Sequence, residues 1–222
     1  MFDVALPVYG VEDVEVALSF TPHVVGVIWG GADISPSIYK HRVSRFTGGK
    51  ETLSTRDAIE VTVARHCIEK GIPLIGVCRG AQLLCALSGG SLIQHVDNHA
   101  GGYHPIVTSD GEILNCPSLH HQMMYPWYDN IGDPIEHEML AWMEKPRSDV
   151  YYGQPDEDGT ERSIILPGPE PEVVWFPKTK SLCIQSHPEF IHQADHPFRI
   201  YCNKLVSKYL LGEEVGSRAE KQ

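Results

Sequence analysis

Six cysteines occur in this chain, and one of them stands between glycines at a change of local structure. Gly76-Val77-Cys78-Arg79-Gly80 closes the apolar run Pro73 to Val77 and opens a helix-favouring stretch, Cys78 to Leu87, that stops at Gly89-Gly90. A thiol there is the cysteine version of a nucleophile elbow, in which flanking glycines permit the sharp turn that pushes the side chain outward. A helix N-terminus presents unpaired N–H groups and a partial positive charge, which favours a thiolate and can hold an oxyanion. The other cysteines, Cys67, Cys85, Cys116, Cys183 and Cys202, are read as buried structural thiols, and all six as reduced.

A thiol nucleophile needs an imidazole to accept and return a proton, and a carboxylate to orient that imidazole. His187-Pro188-Glu189 offers both, just after the apolar segment Ser181 to Gln185. With twelve histidines in the chain, a lone His would carry little information. Here Pro188 fixes the turn and leaves the imidazole and the carboxylate as near neighbours.

Elements must position these groups. Val4 to Val8 is strand-like, and Val24-Val25-Gly26-Val27-Ile28-Trp29 is a second, β-branched run ending on Gly30-Gly31. Arg56 to Lys70 has helical spacing, with Gly71 as a stop and Pro73 beyond it. The strand at 73–77 and the helix after Cys78 then form the βα unit of a parallel sheet buried on both faces. From about Asp129 to Pro171 the chain turns to Pro, Gly and acidic residues and reads as an elaboration on the sheet. Val173 to Phe176 and Ser181 to Gln185 form a hairpin around Pro177-Lys178-Thr179-Lys180, and Ile200 to Leu211 a closing helix. Gly212 to Gln222 is a polar tail.

Composition narrows the function. In 222 residues, Lys+Arg number 18 against 29 Asp+Glu, a formal charge of −11, so neither a nucleic-acid nor a membrane footprint is supported. A hydrophobic content of 42% excludes global disorder. The start Met1-Phe2-Asp3-Val4 shows no secretory pattern, and no apolar run reaches the roughly 20 residues of a membrane span, so a cytoplasmic protein is expected.

Taken in order, several segments resemble one superfamily: Gly-Val-Cys-Arg-Gly-Ala-Gln at 76–82, Gly89-Gly90 with Gln94, Ser118-Leu119-His120-His121-Gln122, and Gln185-Ser186-His187-Pro188-Glu189. They are similar to class I glutamine amidotransferase-like proteins, and the nearest branch is that of γ-glutamyl-γ-aminobutyrate hydrolases, or C26 peptidases. Gly30 to Pro36, and Arg56-Asp57 with Glu60, resemble the same branch. The likeness spans roughly residues 24 to 190 apart from the acidic stretch. It implies an α/β, three-layer, flavodoxin-like fold, a mostly parallel sheet with helices on both faces. The expected organisation is a single domain over 1–212, with an acidic insert at about 125–171 and a tail at 213–222.

The resemblance also implies roles. Cys78 would be the nucleophile, His187 the general base and then acid, and Glu189 the residue holding the imidazole. The backbone N–H groups of Gly31 and Arg79 would form the oxyanion hole. Gly30, Gln82, Ser118, His120, His121 and Gln122 would line the substrate pocket. The implied reaction is hydrolysis of a γ-glutamyl amide, glutamine or a γ-glutamyl amine, through a thioester. Alternatives are a glutaminase subunit passing ammonia to a separate synthetase or ligase, and a non-catalytic binding module on the same fold. Cys85, Pro117 and Ser186 depart from residues common in relatives at those positions.

Other features point to no further chemistry. His95, His99 and His104, with Asp97 and Asn98 between them, match no strong ligand spacing, so no metal is expected. Gly48-Gly49-Lys50 lacks the spacing of a phosphate loop, and no cofactor is expected. His192, Asp195 and His196 read as solvated loop residues. Trp127, Tyr128, Trp142, Tyr151 and Tyr152 belong to small-core packing, a lid or a docking surface.

Overall fold

Apolar runs without polar alternation belong in strands covered on both faces, and such runs form the middle of the sheet here. The computed structural model describes residues 4–212. Its strands are β1 (Gly26–Ile28), β2 (Leu74–Val77), β3 (Ser91–Ile93), β4 (His95–Val96), β5 (Ala100–Thr108), β6 (Ile113–Leu119), β7 (Met123–Tyr125), β8 (Glu138–Met143), β9 (Tyr151–Tyr152), β10 (Pro171–Phe176) and β11 (Ser181–Ile184). Four α-helices accompany them: α1 (Val11–Phe20), α2 (Thr55–Lys70), α3 (Arg79–Leu87) and α4 (Pro197–Leu205), the last continuing into a π-helical turn at Val206–Leu210.

The main sheet has the order β1-β2-β11-β10-β8-β5-β6. β1, β2 and β11 pair in parallel, with Val27 opposite Ile75 and Ile75 opposite Leu182. From β11 outward the pairing is antiparallel, because β10–β11 and β5–β6 are hairpins closed by short turns. Side-chain alternation along the central strands shows three layers. Val174, Phe176 and Cys183 face a core with residues of α1, α2 and α3, whereas Val173, Trp175, Leu182 and Ile184 face a second core with residues of α4. The α/β class with helices on both faces is the one expected, and the parallel pairing falls where the candidate site lies.

Local chemistry accounts for the elements around the site. Ser54 caps α2: its Oγ accepts from Asp57 N at 3.0 Å, and Asp57 Oδ2 accepts from Ser54 N at 3.1 Å. Gly71 ends that helix in the left-handed conformation, φ 69°. The start of α3 lies so close to the sheet that a Cβ on Gly80 would collide with the Ile28 carbonyl, and one on Gly76 with the Gly80 backbone.

Two sequence expectations need adjusting. Val4 to Val8 is not a strand: the segment contains Pro7, and Val4, Leu6 and Val8 are exposed with no partner strand. The stretch at 125–171, read as an elaboration, supplies β8 to the sheet between β10 and β5, because Leu140, Ala141 and Met143 form a buried apolar segment inside acidic surroundings. The tail expected at 213–222 lies outside the described residues.

Candidate active site

Parallel pairing sets the C-terminal ends of β1, β2 and β11 side by side, the usual place for a site in an open α/β sheet. Trp29-Gly30-Gly31 follows β1, Cys78 follows β2, and His187 follows β11. The last two ends are joined directly, since Cys78 N donates to Ile184 O at 2.8 Å. Cys78 has φ 51° and ψ −108°, a region that side-chain-bearing residues rarely enter, and it immediately precedes α3. Sequence alone supplies the elbow, and the backbone adopts it.

Cys78 and His187 share a pocket of about 370 Å³ with Gly30, Gly31 and Glu189. Trp29, Leu119 and Phe190 complete its wall. His187 Nδ1 lies 2.7 Å from Glu189 Oε1, and Phe190 stacks on the imidazole with ring centroids 4.5 Å apart and planes 3° from parallel. His187 Nε2 is buried without a hydrogen-bond partner, so no hydrogen bond of ordinary geometry joins it to Cys78 Sγ. The two groups are nonetheless coupled. Burial pulls the imidazole pKa down, and the Cys78 thiol and the Glu189 carboxylate outweigh it, raising the value from 6.5 to about 9. Burial acts on the remaining thiols in the opposite sense. Cys67 is pushed up to about 11 and Cys85 to about 12, and Cys116, Cys183 and Cys202 are also raised, which keeps these five protonated.

Behind the elbow, α2 grips both segments from which the candidate oxyanion donors come. The Arg79 side chain is 2% exposed; its Nη2 donates to Asp57 Oδ1 at 2.6 Å and its Nη1 to Glu60. Arg56 Nε donates to Glu60 Oε1 at 2.8 Å, and its Nη2 donates to the Trp29 carbonyl at 2.9 Å. Gly31, at φ 152°, has no room for a Cβ beside Arg56. The Arg79 amide, first in α3, has no intrahelical partner. This ionic chain appears in the sequence only as the spacing Arg56-Asp57 and Glu60.

The other expected pocket residues are buried or turned elsewhere. Gln82 Nε2 donates to Gln122 O at 3.1 Å, and Gln122 Nε2 donates to Thr47 Oγ1 at 3.0 Å. Ser118 Oγ donates to His99 O at 2.5 Å. His120 Nδ1 lies 2.9 Å from Gln122 O, and His121 Nε2 lies 3.0 Å from Asp33, whose hydrogen bond raises the pKa of that imidazole. Of this set only Gly30 lines the pocket, while Leu119, inside the same motif, reaches it. His192 offers its carbonyl to Arg199, and His196 caps α4 by accepting from Phe198 N at 3.3 Å. His95 stacks on Phe46 at 4.4 Å. His99 and His104 do meet, together with His120 and Glu172, in a fully buried cluster that could hold a metal ion.

Sheet, elbow and pocket define an α/β protein of the class I glutamine amidotransferase-like kind. More particularly, the chain belongs to the peptidase C26 family, whose model matches residues 3–124, more than half its length. The matched region includes Cys78, and His187 and Glu189 lie beyond it. Over 182 residues the chain is 28% identical to a Mycobacterium tuberculosis protein bearing the name of a glutamine amidotransferase, covering 73% of this chain and 49% of that one. A carbamoyl phosphate synthase small chain of Salmonella typhimurium is 33% identical over 61 residues, 28% of this chain and 16% of that one. A solved glutamine amidotransferase of Thermotoga maritima matches with 18% identity and a TM-score of 0.41, covering 68% of this chain and 56% of that one. The chain thus spans about half the length of the Mycobacterium relative. No helix among the described residues is long and apolar enough to cross a membrane.

Proposed function

We propose that this protein hydrolyses a γ-glutamyl amide bond with Cys78 as nucleophile. One observation carries the reading: Cys78 occupies a positive-φ elbow in the same pocket as His187, whose Nδ1 is held 2.7 Å from Glu189. The Cys78 thiolate attacks the amide carbonyl, and the backbone N–H groups of Gly31 and Arg79 receive the oxyanion. Donors of that kind contribute about 2.7–4 kcal/mol each in comparable acyl-transfer sites. His187, as imidazolium, gives its Nε2 proton to the leaving nitrogen, so ammonia or an amine departs and a thioester remains. A water molecule then gives a proton to His187 and attacks the thioester carbonyl, releasing glutamate and the thiolate. Three exposed apolar side chains at the pocket, Trp29, Leu119 and Phe190, suit an amine half with hydrocarbon character.

A second reading draws on the likeness to a synthetase small chain: glutamine is the substrate, and ammonia passes to a separate synthetase or ligase. The full chain, incubated alone with glutamine and with a panel of γ-glutamyl amines, separates the two. Turnover of the amines without a partner supports the hydrolase, and ammonia release that depends on an added synthetase supports the ammonia-delivering role. A glutamine-analogue electrophile tests the nucleophile common to both. It is expected to label Cys78, as located by mass spectrometry, and to leave Cys78→Ala unlabelled; equal labelling of the two proteins would overturn the catalytic reading.

A further inference from the structure

We propose that His99, His104, His120 and Glu172 form a buried four-ligand site for a divalent transition-metal ion of the zinc type. Their ligand atoms lie within 4.8 Å of one another, and all four side chains are buried. Chain topology assembles them: His104 lies on β5, Glu172 on β10, His99 just before β5 and His120 just after β6. The polar atoms at the centre are left without hydrogen bonds. His99 Nδ1, His120 Nε2 and both carboxylate oxygens of Glu172 are buried and unpartnered. A carboxylate placed there without a cation is costly, and three imidazoles with one carboxylate suit zinc in type and number.

The surroundings resemble the outer shell of a metal centre, in which each ligating histidine turns its second nitrogen to another group. His99 Nε2 lies 3.2 Å from Glu170 Oε2, outside hydrogen-bond alignment, and Glu170 is itself fixed by the amides of Arg147 and Ser148 and by the Tyr151 hydroxyl. His120 presents Nδ1 to the Gln122 carbonyl at 2.9 Å, which directs Nε2 inward toward Glu172 at 3.8 Å. His104 sets Nε2 3.3 Å from Glu172 Oε1 and its Nδ1 3.7 Å from Cys116 Sγ. With metal–nitrogen distances of about 2.0–2.1 Å, tetrahedral ligands sit about 3.3 Å apart, so binding draws these side chains inward. Four protein ligands leave no open position, which makes this a structural site that fastens β5, β6 and β10 together. These ligands stand independently of the activity proposed above.

Because the cluster is buried, the ion enters during folding, and the metal must be supplied in culture. The full chain without an affinity tag is to be produced in zinc- or cobalt-supplemented medium, in a Cys78→Ala background that removes the pocket thiol. Elemental analysis is expected to give about one ion per chain, and the cobalt form the intense visible absorption of a four-coordinate centre. His120→Gln and Glu172→Gln are expected to lose the ion, and unfolding in chelator followed by refolding is expected to lower Tm unless zinc is returned. Metal at buffer level in the parent protein would overturn the proposal, as would a full ion retained by both folded variants. If neither variant folds, metal content and the cobalt spectrum of the parent protein decide alone.

Discussion

His187 sets the pH behaviour of the pocket. Its imidazole is raised from 6.5 to about 9 against the effect of burial, so at neutral pH it carries the proton that the proposed mechanism gives to the departing amine. The rate of amide hydrolysis is therefore expected to fall as pH rises through about 9. Glu189 is one of the two groups that hold the value up, so Glu189→Gln should move the alkaline limb of the kcat profile to lower pH. The same change should lower kcat by about 10² or more, the usual scale for general acid–base assistance. An alkaline limb that stays in place in this variant would remove Glu189 from its orienting role. Stability follows the same sign. The folded value lies above the ordinary one, so the contribution is fully present below pH 6.5 and is lost as pH rises through about 9.

At the scale of elements, the site depends on how closely α3 approaches the sheet. A Cβ on Gly80 would meet the Ile28 carbonyl, which is backbone and has no rotamer to retreat into. Gly80→Ala is therefore expected to destabilise by at least the ~1–3 kcal/mol typical of overpacking, read as a lower denaturant midpoint at constant slope. Unchanged stability would mean that α3 can slide. These short parallel strands were legible in sequence because each is a short apolar run: those of β1 and β2 end on glycine and cysteine, and that of β11 ends on Gln185. The catalytic candidates were legible because they sit immediately after those runs. The hairpin β5–β6 was not, since Gly101, Gly102, Pro105 and Pro117 interrupt its pattern and resemble loop residues. Nor was the buried cluster of His99, His104, His120 and Glu172, whose members come together through strand order rather than local spacing. The roles of Gln82 and Gln122 were hidden for a related reason: their amides bond to partners 28 or more residues away.

Across the whole molecule, one sheet divides two cores, and β10 and β11 contribute alternate side chains to each. Leu83 is fully buried in one core and Phe198 in the other. Because the cores share strands, Leu83→Ala and Phe198→Ala are each expected to lower a single common transition, by about 2–5 and 3–5 kcal/mol respectively. Two separate calorimetric peaks in either variant would show that the faces unfold independently. The elbow at Cys78 has a different consequence for the molecule as a whole. A residue with a side chain in that conformation costs the fold about 1–3 kcal/mol, whereas glycine adopts the mirror-image extended region readily. Exchange of the thiol for a hydrogen atom would thus give a sturdier protein and, on the mechanism proposed above, an inert one. Cysteine at this position is thus held against a standing thermodynamic incentive to lose it.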